Sequence, residues 1–209
     1  MSRGKFLVIE GLDGSGTTTQ VELLATALRQ RGVPTHATCE PSKGPIGALI
    51  RQALSGRLGT AQGEALSPQT LALLFAADRA DHLFAEVEPA LSSGHWIVSD
   101  RYLLSSLAYQ SLSLPMEWIM ALNQHALVPD CTVFLEIEPK LAASRMKLRP
   151  QAELYEALET QERVAQNYAR AMAARRQAGE HILCMDASLP KEALGRYIED
   201  AFCKHLGLE

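Results

Sequence analysis

The feature that most constrains this chain lies near its start. Lys5 to Glu10 (KFLVIE) is an apolar run too short for a helix, and Gly11-Leu12-Asp13-Gly14-Ser15-Gly16-Thr17-Thr18 follows it directly. From Thr17 to Arg31, Val21, Leu24 and Leu28 recur at helical spacing, and Gly32 and Pro34 close the run. A buried strand, a glycine-rich turn and a helix, in that order, make a cradle for an anion. The glycines let successive N–H groups point inward, and the helix adds the partial positive charge of its N-terminus. A glycine-rich turn without a ligand is the bland alternative, and the flanking strand and helix count against it.

The spacing fits the phosphate-binding pattern G-x-x-x-x-G-K-[ST], the P-loop, with one exception: Thr17 stands in the place of the lysine. Thr18 holds the hydroxyl position that ligates Mg²⁺ in such loops. The lysine normally bridges the outer phosphates and follows the transferred group. A threonine supplies a hydrogen bond but no charge. Lys43, Arg101 and the cluster Arg145, Lys147, Arg149 are the candidate replacements, and spacing does not choose among them.

Further strands are expected at Thr35 to Cys39, Trp96 to Ser99, Thr132 to Ile137 and His181 to Met185. Helices are expected from Pro45 through Leu54, from Pro68 through Leu83, after Asp100 through Tyr109, and from Pro115 to about Leu127. Others are expected over Lys140 to Leu148, Leu154 to Arg176 and Pro190 to Leu206. Strands alternating with helices predict an α/β fold with a five-stranded parallel sheet covered on both faces. Ligands then bind at the carboxyl ends of the strands. The residues just after the strands are the glycine-rich loop, Glu40-Pro41-Ser42-Lys43, Asp100-Arg101, Glu136-Ile137-Glu138 and Asp186-Ala187-Ser188.

Asp100 ends an apolar strand, as a carboxylate coordinating Mg²⁺ opposite a P-loop should, although Asp also caps helices. Arg101, Ser105 and Tyr109 are four residues apart and would share a helix face, with Gln110 beside them. Arg can grip a phosphate bidentately, and Ser, Tyr and Gln can read a base or sugar edge. Phe75 and Arg79 are also four apart, and could stack on a base and bond its edge. The same spacing fits a core Phe75 and a surface Arg79. His82 reads as structural. Glu153, Glu156, Glu159 and Glu162 read as a solvated helix face.

A net charge of -4 argues against a polynucleotide partner but leaves room for a small phosphorylated ligand. The four cysteines show no C-x-x-C pair and no His at a metal-ligand interval, so they read as free thiols in a reducing compartment. No signal segment and no membrane-length apolar run is visible, and a cytoplasmic enzyme is expected.

Several segments together resemble the thymidylate kinase family of nucleoside-monophosphate kinases. They are FLVIEGLDGSGTTTQ (Phe6 to Gln20), EPSKGPIGALIRQAL (Glu40 to Leu54), LFAADRADH (Leu74 to His82), SDRYLLSSLAYQ (Ser99 to Gln110) and PDCTVFLEIEP (Pro129 to Pro139). The D-R-Y-x-x-S-x-x-A-Y-Q pattern is the most specific of these.

The resemblance implies the P-loop nucleoside-monophosphate kinase fold over residues 1–209, with a small lid at about 145–156. It implies transfer of the γ-phosphoryl of ATP to dTMP with Mg²⁺, in a homodimer. By the resemblance, Gly11, Asp13, Gly14, Ser15, Gly16, Thr17, Thr18 and Arg145 contact ATP, with Thr18 and Asp100 at the metal. Asp13, Arg51, Phe75, Arg79, Arg101, Ser105, Tyr109 and Gln110 hold dTMP. Asp13, Arg101 and Arg149 take the catalytic roles, and Tyr109 disfavours a 2′-hydroxyl.

The departures lie on the donor side. Thr17 replaces the lysine, Glu153-Leu154-Tyr155-Glu156 replaces the family's D-R-x-E lid segment, and Lys43 stands in a turn that many members keep shorter, glycine-rich or acidic. The P-loop also lacks an arginine, and members of that kind carry the basic residue in the lid, as Arg145 and Arg149 would. Two other functions fit a P-loop without its lysine: a nucleotide-binding homologue with little or no kinase activity, and a kinase for another acceptor such as dUMP.

Overall fold

A computed structural model describes residues 3–146 and 158–206. Its strands are β1 (Phe6–Gly11), β2 (Thr35–Cys39), β3 (Trp96–Asp100), β4 (Cys131–Glu136) and β5 (Ile182–Asp186). They form one all-parallel sheet in the order β2-β3-β1-β4-β5. The central strand β1 is buried along its whole length. That explains its unbroken apolar run: a parallel strand with both faces covered has no solvent side to alternate with.

Between and after the strands run α1 (Thr17–Gln30), α2 (Pro45–Leu54), α3 (Pro68–His82), α4 (Glu88–Ser92), α5 (Leu103–Tyr109), α6 (Met116–Leu122), α7 (Pro139–Met146), α8 (Leu158–Gln177) and α9 (Lys191–Leu206). Helix α1 buries Val21, Leu24, Ala25 and Leu28 on one stripe. Gly32 ends it with a φ of 80°, its N–H donating to Arg29 O, while Val33 N–H returns to Leu28 O. That left-handed turn satisfies the last carbonyls. Ser67 caps α3 by accepting from Thr70 N–H, with Pro68 in the first turn.

Two cores result, one on each sheet face. Leu7, Ile9, Val98, Val133 and Leu135 pack against α1 and α9, through Leu24, Leu28, Ile198 and Phe202. Phe6, Val8, Ile97 and Phe134 pack on the other face, against Leu107, Val164, Tyr168 and Ala171 of α5 and α8. Among the described residues, no helix is long and apolar enough to cross a membrane.

The expected strands all form, with ends within one residue of the expected ones. The helices differ more. Helix α6 stops at Leu122 rather than near Leu127, because Asn123 leaves the helix to bond Ile119 O and the side chain of Arg79. Beyond α3 the chain continues as a π-helical turn (Leu83–Val87) and α4, neither expected. The expected helices over Lys140 to Leu148 and Leu154 to Arg176 are seen as α7 and α8, and residues 147–157 lie outside the described residues.

The strand order fixes where a ligand can sit. The chain leaves β1 toward β2 and β3 on one side, then crosses to β4 on the other. The crevice at such a switch point lies at the carboxyl end of β1, between the ends of β3 and β4. The glycine-rich loop and Asp100-Arg101 both start there.

Candidate active site

The loop after β1 is built on backbone. Gly14 and Gly16 have φ angles of 84° and 97°, open to glycine at little cost. A Cβ on Gly14 would also stand 2.5 Å from Ala142 O, so α7 packs directly on the turn. Ser15 N–H closes it onto Leu12 O at 3.0 Å. Gly16 caps α1, and Thr17 and Thr18 open the helix. Thr17 is buried, at 6% exposure.

At the end of β3, in register with Ile9, Asp100 meets this loop. Its Oδ2 accepts a short hydrogen bond from the Thr18 hydroxyl. Its Oδ1 is buried with no hydrogen-bond partner among the described residues. A hydroxyl beside a carboxylate with one unsatisfied oxygen is the donor set a hard divalent cation takes.

Arg101 follows with a φ of 69°, in the left-handed region that a side-chain-bearing residue rarely adopts. It therefore precedes α5 rather than lying on it, and the strained turn throws its side chain back across the loop. Its Nη1 donates to Gly11 O at 2.8 Å, and its Nη2 donates to Asp13 Oδ1 at 2.7 Å. Nη1 also reaches Ser105 Oγ and Tyr168 Oη, each at 3.2 Å. The guanidinium lies over the Tyr109 ring, 5.5 Å from its centroid, while Tyr109 O–H donates to Asp13 Oδ2 at 2.9 Å. Asp13 thus joins Arg101 to Tyr109. Burial disfavours the cation of Arg101, but Tyr109, Asp13, Tyr168 and Asp100 outweigh it and hold it protonated. Burial drives the Tyr109 hydroxyl up, so it stays a donor.

Glu10, fully buried at the end of β1, anchors the segment after Arg101. Its carboxylate accepts from Tyr102 N–H (2.9 Å), Ser105 N–H (3.1 Å), Ser105 O–H (2.6 Å) and Tyr168 O–H (3.2 Å). Burial raises its pKa, against the bonds from Ser105 and the charge of Arg101. Tyr168 comes from α8, which looked merely polar in sequence. Val164, Tyr168, Ala171 and Met172 form its buried stripe, and Glu159 and Glu162 do face solvent. The helical spacing of these four was the available signal.

Beside this anchor opens a cleft. Asp13, Phe75, Arg79, Arg101, Tyr109 and Gln110 line it, with Ser105 at its wall. Arg79 is not a surface charge. It is 2% exposed, donates to Glu40 Oε2 at 2.6 Å and Ser106 Oγ at 3.0 Å, and bonds Asn123. Its Nε–H and the Oε1 of Gln110 are buried without partners among the described residues. Glu40 stands in the segment after β2 that the sequence placed at the crevice, but its pairing with Arg79 was not visible there; Ser106 and Asn123 carried no signal of their own, since each is a lone polar residue whose partner is distant in the chain.

The other expected site residues stand apart from the cleft wall. Arg51 is exposed on α2 and donates to Pro41 O (3.0 Å) and Ser42 O (2.6 Å), bracing the turn at the cleft edge. Lys43 is exposed on that turn. Arg145, in the last turn of α7, donates to Ala187 O at 3.0 Å and links α7 to the loop after β5. Arg149, Lys147 and most of the expected lid lie outside the described residues. His82 is structural: it contacts Thr38 Oγ1 at 2.8 Å and Glu40 at 3.3 Å.

A family model described as Thymidylate kinase matches residues 9–198. The chain is 42% identical over 169 residues to a "Probable thymidylate kinase" of Thermococcus gammatolerans, covering 79% of this chain and 81% of that one. Proteins with the same description from Pyrococcus abyssi (42% over 168 residues, 79% and 82% covered) and Methanococcus vannielii (41% over 165 residues, 78% and 76% covered) are similarly close. With that match running from the end of β1 into α9, the chain belongs to the thymidylate kinase family.

Proposed function

We propose that this protein transfers the γ-phosphoryl group of ATP to dTMP, giving dTDP and ADP. One observation carries the reading most: Arg101 is bonded to the P-loop through Gly11 O and Asp13 while lining the cleft with Phe75, Arg79, Tyr109 and Gln110. A single cation thereby spans the phosphate cradle and the acceptor cleft.

On the acceptor side, Phe75 offers a ring face for thymine. The unpartnered Arg79 Nε–H suits a carbonyl of the base, and the unpartnered Gln110 Oε1 suits its ring N–H. Ser105 completes that wall. The Asp13–Tyr109 pair fills the space beside the sugar and disfavours a 2′-hydroxyl. Arg101, with Arg51 at the edge, holds the acceptor phosphate.

On the donor side, the N–H groups around Gly11, Asp13, Gly14, Ser15, Gly16 and Thr17 cradle the ATP phosphates. Thr18 and Asp100 fit Mg²⁺, as the unsatisfied Asp100 Oδ1 indicates. Bound there, Mg²⁺ neutralises charge on the outer phosphates. Arg145, Arg149 and a lid over about 145–156 close on ATP and exclude water. An oxygen of the dTMP phosphate attacks the γ-phosphorus, and the bond from that phosphorus to the β–γ bridging oxygen breaks. The chain's task is in-line placement and charge compensation rather than covalent chemistry. Arg101, held against the loop by Asp13, supplies the positive charge that Thr17 lacks.

We also propose a homodimer, on the stripe Leu73, Ala77, Ala80 and Phe84. Leu73 is 51% and Phe84 79% exposed, and the four recur at helical spacing along one face. The four free cysteines fit a reducing compartment such as the cytoplasm.

The test is a coupled ADP-release assay with Mg-ATP and a panel of dTMP, dUMP and thymidine. Turnover is expected, fastest with dTMP. Absence of turnover above background with dTMP binding retained would leave a nucleotide-binding homologue, and equal rates with dUMP would remove the acceptor assignment.

A further inference from the structure

At the end of the sheet away from the crevice, a second cluster has no part in the reaction above. Cys131 opens β4, and His181 immediately precedes β5. The pairing of Thr132 with Ile182 puts Cys131 beside His181, and Thr132 N–H donates to His181 O at 2.9 Å. Side chains at paired positions of neighbouring parallel strands share a sheet face. Cys131 belongs to the core that α9 covers, and α9 carries His205 in its last turn. The two imidazoles stack, with centroids 3.7 Å apart and planes at 7°. One ligand atom from each of Cys131, His181 and His205 lies within 4.8 Å of the other two.

We propose that Cys131, His181 and His205 form a site for a borderline-soft divalent cation of the Zn²⁺ type. The donor set decides the class: one thiolate and two imidazoles suit zinc, whereas magnesium and calcium take oxygen. With bonds of about 2.3 Å to sulfur and 2.0–2.1 Å to nitrogen, tetrahedral ligand atoms lie roughly 3.3–3.6 Å apart. The ligand atoms already lie within 4.8 Å of one another, and the exposed side chains of His181 and His205 supply the adjustment that closes the site. The histidine stack opens as the rings turn toward a shared centre. Cys131 loses its S–H proton to water as the sulfur–metal bond forms. Three protein ligands leave a fourth position for water. The ion ties β4, β5 and α9 together and stabilises the fold by an amount that grows with the logarithm of free ion concentration above Kd.

The test uses the full chain, with Zn²⁺ alone as titrant and Mg²⁺ in large excess to occupy oxygen sites. Calorimetry is expected to show one equivalent bound at micromolar Kd or tighter, with proton release, and a zinc-dependent rise in Tm. Co²⁺ in its place is expected to give thiolate-to-cobalt charge-transfer absorption. His205 is exposed in the last turn of α9, so His205→Ala should fold; it is expected to weaken Zn²⁺ at least tenfold, as is His181→Ala. Cys184→Ser, an exposed thiol outside the cluster, is expected to leave Kd unchanged. Affinity weaker than about 100 µM, or Kd unmoved in a folded His181→Ala/His205→Ala double variant, overturns the proposal.

Discussion

Arg101 Nη2 donates to Asp13 Oδ1 at 2.7 Å from a backbone held at a φ of 69°. A non-glycine residue in that region costs on the order of 1–3 kcal/mol, and persists where its surroundings fix it. Here the fixing bonds are Arg101 N–H to Ile9 O at 2.9 Å and the two guanidinium bonds to the loop. The strain buys a cation laid across the phosphate cradle.

Arg101→Ala is expected to lower kcat by ~10²–10³, the scale of one electrostatic contact to a transition state. Alanine meets the same strained φ, so unfolding measurements should show a smaller change than the kinetics do. Arg101→Lys keeps a charge but loses the fork that spans Gly11 and Asp13, and should recover only part of the rate. Steady-state kinetics on the two variants checks this.

If Arg101 compensates for Thr17, Thr17→Lys should change kcat less than about tenfold. A rise of ~100-fold or more would show that the loop of the natural chain lacks an essential charge. Combining Thr17→Lys with Arg101→Ala should restore activity relative to Arg101→Ala alone, and a double-mutant cycle measures that coupling.

Tyr168→Phe removes a hydroxyl shared by Glu10, Gly11 O, Ser105 and Arg101. Leaving those buried groups short of a partner should cost about 1–3 kcal/mol. Urea unfolding should show a lower midpoint at an unchanged slope. Because Ser105 and Arg101 lose a brace together, KM for dTMP should rise as well.

His82 gives stability a pH dependence. Burial lowers its pKa, but the hydrogen bond and charge of Glu40, with Glu86 and Asp78, outweigh burial and hold it above the ordinary 6.5. A group whose folded pKa is raised stabilises fully below its unfolded pKa, and the contribution is lost as pH rises through the folded value. The Tm gap between the natural protein and His82→Gln should therefore be widest below pH 6.5 and shrink above it. A gap that stays constant across pH 5.5 to about 8.5 would remove the charge from this account.

The sequence by itself determined the strands, the phosphate loop and the residues that carry the family resemblance. These are local: an apolar run between breakers, glycines at fixed spacing, a motif within twelve residues of Ser99 to Gln110. Each is set by interactions between near neighbours in the chain, so each is legible there. Tertiary structure decided the rest. It took Arg101 off the helix face that its spacing suggested, buried Arg79 against Glu40 and Asn123, and brought Tyr168 of α8 to the P-loop. It also set Cys131 beside His181 and His205, although no interval between them in sequence suggests a ligand set. The physical reason is common to the first three. A buried polar group must find a partner, and in a parallel sheet that partner arrives from another strand or a crossover helix, at a sequence distance no periodicity encodes.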